Sequence, residues 1–142
     1  MVIQRWQSVW LLVAAVLTGV FCFVPMAIVP GAADADSVTF LNPKDMPVFM
    51  IVGLLTALLL FLSIFLYKNP RRQKTLVKVS AFLLVVLMAV EAGVLLTWDT
   101  SGGSVEWLGS VFLLAGGFVF AIMAYQGIRR DEKLLRAADR IR

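Results

Sequence analysis

Four apolar runs of 20 or 21 residues, at positions 9–29, 47–67, 79–98 and 107–127, divide the chain and leave only short polar segments between them. The hydrocarbon core of a bilayer is about 30 Å thick and a helix rises about 1.5 Å per residue, so each run is long enough to cross once. The pattern predicts an all-α integral membrane protein, an antiparallel four-helix transmembrane bundle with a helical extension at its C-terminus. Together the runs take up 83 of 142 residues, which leaves the protein a single bundle, 1–142, with a basic tail at 128–142. A water-soluble alternative fails on surface area. The chain is 61% hydrophobic and 15% charged, and a domain of this size leaves roughly a third of its surface in contact with solvent.

Lysine and arginine set the expected orientation. Arg5, the second connection (Lys68, Arg71, Arg72, Lys74, Lys78) and the tail (Arg129, Arg130, Lys133, Arg136, Arg140, Arg142) hold 12 of the 13 basic residues. The other two connections hold Lys44 against Asp34, Asp36, Asp45, Asp99 and Glu106. The positive-inside rule then puts both termini and the middle loop in the cytoplasm. The formal net charge of +4 is thus a topological asymmetry and no sign of nucleic-acid binding.

Gly31, Ala32 and Ala33 look like a small-residue processing site, but the apolar stretch before them exceeds the roughly 7–15 residues of a signal core, so the first helix is expected to be retained. Trp6, Trp10, Tyr67, Trp98, Trp107 and Tyr125 fall at run boundaries, where amphipathic aromatics anchor helices at headgroup depth. Pro70 biases Asn69 away from helix and predicts a tight middle turn. Residues 37–41 read as a short strand that needs a partner, which the last external loop would have to supply.

Glu91 is the one formal charge inside the four runs and lies about 10 Å below the outer boundary at helical rise. A charge at mid-membrane costs about 2.5–3.5 kcal/mol on insertion scales, so a carboxyl here is expected to be protonated, hydrogen-bonded or facing water. Ser80, Leu84, Leu87, Leu95 and Trp98 share its helical face, which should point into the bundle. Two readings are open: a proton, cation or polar-ligand site, or a structural carboxyl that is neutral and bonded to Thr18, Thr56 or Ser63 of a neighbouring helix or hydrated through the outer interface.

Small and polar residues recur at helical spacing: Ser8, Ala15, Thr18 and Cys22, then Gly53, Thr56, Ala57 and Ser63, then Ala89 and Gly93, then Gly117, Ala121 and Ala124. Stripes of this kind let helices approach closely in lipid, and Cys22 fits the stripe as a packing residue. With no histidine and a single cysteine, the chain has no histidine general base, no disulfide and no CxxC pair, and no cofactor or metal site is expected. Asp34, Asp36, Asp45 and Asp99 are too scattered for a calcium loop.

In the tail, Leu134, Ala138 and Ile141 follow i, i+4, i+7, and Glu132 to Arg136, Arg136 to Asp139 and Asp139 to Arg142 are spaced for helical ion pairs. The tail should be a helix, either lying on the anionic inner leaflet or continuing the fourth span toward a cytoplasmic partner.

The opening MVIQRWQSVWLL and the ending RDEKLLRAADRIR (residues 1–12 and 130–142) resemble a Bacteroidota family of small four-span membrane proteins catalogued as a domain of unknown function, with an IQR-type start and a DEKL-x-R-x-ADR-type end. The resemblance implies a bacterial inner-membrane location and brings no activity. Both segments belong at the cytoplasmic ends of the first and fourth spans, which can be neighbours in an up-and-down bundle. Gln4, Arg5, Gln7, Arg136, Asp139 and Arg140 would then form one composite surface, with Leu134 and Ile141 on the tail's apolar edge.

Three function classes follow. The first is a non-enzymatic accessory subunit docking a cytoplasmic or membrane protein partner, or lipid headgroups, through that surface. The second is a small transporter or channel component built on Glu91, which at this size needs a homo-oligomer. The third, a membrane enzyme, lacks a second buried acid or an intramembrane lysine from which to assemble a catalytic pair.

Overall fold

A computed structural model describes residues 2–30, 38–97 and 106–141, with side chains from 6–28, 40–97 and 106–141. The chain runs as helix α1 (Val2–Phe21), strands β1 (Ala27–Pro30) and β2 (Val38–Leu41), a single 3-10 turn (Pro43–Asp45), helices α2 (Pro47–Phe65) and α3 (Pro70–Thr97), strand β3 (Glu106–Trp107) and helix α4 (Val111–Ile141). α2, α3 and α4 are each long and apolar enough to cross a membrane, whereas the apolar part of α1 is the shorter stretch Trp6–Phe21, about 24 Å at helical rise.

The helices form a ring in which α1 packs on α2 and α4, and α3 packs on α2 and α4. The expected adjacency of the first and last helices is therefore present. Inside the ring lie Leu11, Ala14, Leu60, Leu84, Leu87, Leu114, Ala121 and Ala124. Outside, Ile51, Leu58, Phe65, Phe82, Phe112 and Val119 are exposed. A bundle apolar on both faces is what hydrocarbon solvation requires, since in water the outer surface would be one large hydrophobic patch.

The buried hydroxyls are satisfied locally. Thr18, Thr56, Ser63 and Ser80 each donate to a carbonyl three or four residues back, on Ala14, Val52, Leu60 and Leu76, at 2.6–2.9 Å. Each is spent within its own helix, and none of the four donates across to another helix. Small residues set the helix spacing on three helices. A Cβ at Gly53 would lie 2.7 Å from Cys22 Sγ, and one at Gly117 would lie 3.1 Å from Thr18 Oγ1. On α3 the expected stripe does not pack: Ala89 and Gly93 face outward, and nothing lies within 4 Å of a Cβ at Gly93.

Helix ends depart from the hydropathy boundaries for local reasons. α1 starts at Val2 and stops at Phe21, where the apolar run had placed a helix over 9–29. Pro25 has no N–H to give and excludes Val24 from helical geometry, so residues 27–30 become a strand despite their hydrophobicity. Pro70 does keep Asn69 out of the helix, but it then serves as the first residue of α3, where the missing N–H costs nothing. α3 thus begins nine residues before its apolar run. Trp107, expected to open the fourth helix, sits in β3; the helix begins after Gly109, whose φ of +75° makes the turn.

The three strands make one antiparallel sheet in the order β2-β1-β3. Ala27 opposes Leu41 on one side and Trp107 on the other. The connection before α4 does supply a strand, but it pairs with β1, and β1 is the direct partner of β2. Met26 and Ala27 are fully buried beneath it, and Phe21 meets Phe49 edge to face at 6.0 Å. This end of the ring is closed by the sheet. Asp34, Asp36, Trp98, Asp99 and the 31–33 segment lie outside the described residues.

Candidate functional site

The two ends of the ring differ in chemistry. At the sheet end, Glu91 is 1% exposed on the inward face of α3 with Ser80, Leu84 and Leu87, as its helical position requires. Its Oε1 accepts a hydrogen bond from Ser110, the residue preceding α4, and Trp107 lies close to the same carboxyl. None of the hydroxyls expected as partners reaches it, because Thr18, Thr56 and Ser63 are committed to their own helices. Ser110 lies just outside the fourth apolar run's helical part, so hydropathy alone could not single it out. Glu91 Oε2 is buried and has no hydrogen-bond partner among the described residues.

At the opposite end, where both termini emerge, the polar contacts cross between helices. Gln7 of α1 is 4% exposed, and its Nε2 donates to Asp131 Oδ2 of α4 at 2.8 Å. Gly127 makes room for it, since a Cβ there would fall 2.8 Å from Gln7 Cγ. From α3, Lys74 Nζ donates to Glu132 Oε2 at 2.6 Å, while Arg136 donates to Glu132 Oε1 at 2.7 Å from one turn along α4. Glu132 is almost fully buried between them. The Lys74 hydrogen bond holds its carboxyl below the ordinary glutamate range, against the opposing effect of burial and with help from both nearby cations. Gln7, Gln73 and Asp131 also line a polar cavity of about 20 Å³.

These contacts divide the expected surface into two groups. Gln7 joins α1 to α4 from inside the fold, whereas Arg136 stays on the surface and pairs along α4 with Glu132. Asp139 and Arg140 are exposed, as are Leu134 and Ile141, the last at 88%. The side chains of Gln4 and Arg5 lie outside the described residues. Of the tail's expected ion pairs, Glu132 with Arg136 is formed. Helical spacing paired Glu132 with Arg136 but did not reveal Lys74 as its second partner, nor Ser110 as the partner of Glu91. The signal in their sequence is weak, because these pairings join residues 58 and 19 positions apart on different elements.

The tail does not turn. α4 is one unbroken helix of 31 residues, about 46 Å long, and Leu134, Ala138 and Ile141 are exposed on its C-terminal part. The arrangement is therefore a bundle end locked by buried polar contacts with one amphipathic helix projecting from it.

No curated protein and no solved structure matches the chain. A family model matches residues 3–141, nearly the whole length and both distinctive end segments. The chain belongs to the family described as "Domain of unknown function (DUF4293)".

Proposed function

We propose that this protein is a non-enzymatic accessory subunit of the bacterial inner membrane, with both termini cytoplasmic, that docks a cytoplasmic protein through the projecting end of α4. The observation that supports this reading is the continuity of α4. If Val111 marks the outer edge of the hydrocarbon, 20 residues reach Arg129 and Arg130, and the remaining 11 residues add about 16 Å. A headgroup layer is about 5–7 Å deep on each side. Leu134 then lies near the outer surface of the headgroups and Ile141 roughly 10 Å beyond them, too far out to rest on lipid. Lys74, four residues before the boundary residue Lys78 on α3, meets Glu132 at the corresponding height.

Charge selects the partner. Asp131 and Glu132 are engaged by Gln7, Lys74 and Arg136, so the exposed part of the tail offers Arg129, Arg130, Lys133 and Arg140 against Asp139. Such a surface repels a second copy of itself and suits an amphipathic helix with an apolar stripe flanked by acids. A photo-crosslinking side chain placed at Leu134 or Ile141 in cells tests this. A protein adduct at both positions, lost on Arg140→Glu, is expected. Lipid adducts alone, or protein adducts indifferent to Arg140→Glu, would overturn it.

A second reading, a small transporter or channel component, rests on Glu91 Oε2, buried and without a hydrogen-bond partner among the described residues. Glu91→Gln keeps the shape and removes ionisation. A pH-dependent flux lost in that variant would favour transport, and full complementation would exclude it.

A further inference from the structure

On the flank of the bundle between α1 and α4, near the end that carries the termini, a groove of about 600 Å³ is lined by Trp6, Trp10, Met123, Gln126, Gly127 and Arg130. That volume falls in the range of small-ligand sites. Its register is fixed by the contact of Gln7 with Gly127 and Asp131. Trp6 is level with Arg130, and Trp10, one turn deeper, is level with the stretch of α4 between Met123 and Gly127. Met123 and Arg130 are seven residues apart, so the groove runs about 10 Å along the helix axis.

Polarity changes along that length. The deep half offers Met123 and the Trp10 ring. The shallow half offers the Gln126 amide, the Trp6 edge and the Arg130 guanidinium. Neither Gln126 nor Arg130 makes a hydrogen bond or ion pair among the described residues. The acids that follow Arg130 are spent, Asp131 on Gln7 and Glu132 on Lys74 and Arg136. Arg130 is thus a cation at the mouth of an apolar slot, paired with neither of the acids that follow it. A soluble phosphate ester would have no use for the deep half, and an uncharged apolar ligand none for Arg130.

We propose that this groove is a binding site for one anionic phospholipid, with its phosphate at Arg130 and Gln126 and one acyl chain along Trp10 and Met123. Basic recesses between spans on the cytoplasmic side suit such headgroups, and arginine is the side chain whose planar donors match phosphate oxygens. The site is separate from the docking edge at Leu134 and Ile141. It shares with that reading only the placement of the bundle in a membrane.

The test titrates the purified full chain in detergent with phosphatidylglycerol or with phosphatidylcholine of the same acyl chains, and counts one-to-one adducts by native mass spectrometry. Phosphatidylglycerol should exceed phosphatidylcholine about fivefold, the effect of one arginine at a membrane surface. Arg130→Gln should bring the two lipids to parity, while Arg129→Gln, which removes the same charge outside the groove, should keep the preference. Met123→Trp, which fills the deep half, should lower the adducts of both lipids. Circular dichroism checks that each variant stays helical. Equal adducts in the unmodified chain, an equal loss in Arg129→Gln and Arg130→Gln, or displacement of the lipid by an equal concentration of glycerol 3-phosphate would overturn the proposal. Retention of the lipid preference with no protein adduct at Ile141 would sink the docking reading and leave this one standing.

Discussion

Gly127 gives a prediction whose sign depends on one other residue. A Cβ at this position would lie 2.8 Å from Gln7 Cγ and 3.1 Å from its Nε2, well inside the 3.5–4.0 Å at which carbon atoms rest against each other. Gln7 has nowhere to go, being 4% exposed and tied at 2.8 Å to Asp131. Gly127→Ala must then either push α1 from α4 or break that hydrogen bond. Overpacking costs about 1–3 kcal/mol, and loss of a hydrogen bond to a carboxylate costs about 1.5–3 kcal/mol. Alanine returns up to about 1 kcal/mol in helix propensity. Counting one cost and not both, because relief of one spares the other, gives a net destabilisation of about 1–2 kcal/mol. In a Gln7→Ala background both obstacles are gone, and the same substitution should be neutral or stabilising by up to about 1 kcal/mol. Reversible unfolding in mixed micelles, followed by circular dichroism for the four members of the cycle, reads this directly. An equal penalty in both backgrounds would refute the register of α1 on α4, and with it the placement of the groove.

Three further outcomes follow from single contacts. Because the Glu132 carboxyl is held below its ordinary range, the unfolded chain binds more protons in the window between the two values; its contribution to stability is complete above the ordinary glutamate value and is lost as pH falls through the folded one. The stability gap between the unmodified chain and Glu132→Gln should be level near neutrality and close below about pH 4.3; a gap that stays constant into strong acid would contradict the clamp. Ser110→Ala removes the donor to Glu91 Oε1 and should cost about 1–3 kcal/mol in the same unfolding assay, with Ser110→Thr retaining most of the stability; equal losses would show that the hydroxyl is not the partner. Gly109→Ala places a Cβ at φ +75° and 3.1 Å from the Phe112 ring, a cost of about 1–2 kcal/mol that Gly109→Asn should partly spare.

The helices were legible because hydropathy acts on each segment alone. Four apolar runs gave four helices, and the i, i+4, i+7 pattern of Leu134, Ala138 and Ile141 gave a helical tail. The ends were less legible. Residues 27–30 are as apolar as the helix before them, and only Pro25 separates the two, while Gln4, Arg5 and Gln7 interrupt the hydropathy without interrupting the helix. A polar residue inside a membrane helix reads as a boundary until its partner is known. Asp131, the partner of Gln7, is 124 residues away. The same holds for Glu91: its inward face followed from helical spacing, but the identity of Ser110 depended on how α4 enters the ring. Gln7 accordingly moved from an external surface to a joint that holds it, while Arg136 stays exposed in a pair with Glu132, and Leu134, Asp139, Arg140 and Ile141 form the free edge.

The central claim is that α4 leaves the membrane as a straight helix and carries that edge beyond the headgroups. Cys22 is the sole cysteine, so Cys22→Ala gives a background for single spin labels at Leu134, Ala138 and Ile141. Collision with oxygen and with a water-soluble nickel chelate, measured by electron paramagnetic resonance in phosphatidylglycerol-containing bilayers, reports the depth of each. Chelate access should rise steadily from 134 to 141, with Ile141 fully in water. Constant, oxygen-rich depth at 134, 138 and 141 would mean that the tail lies on the leaflet, and would contradict it.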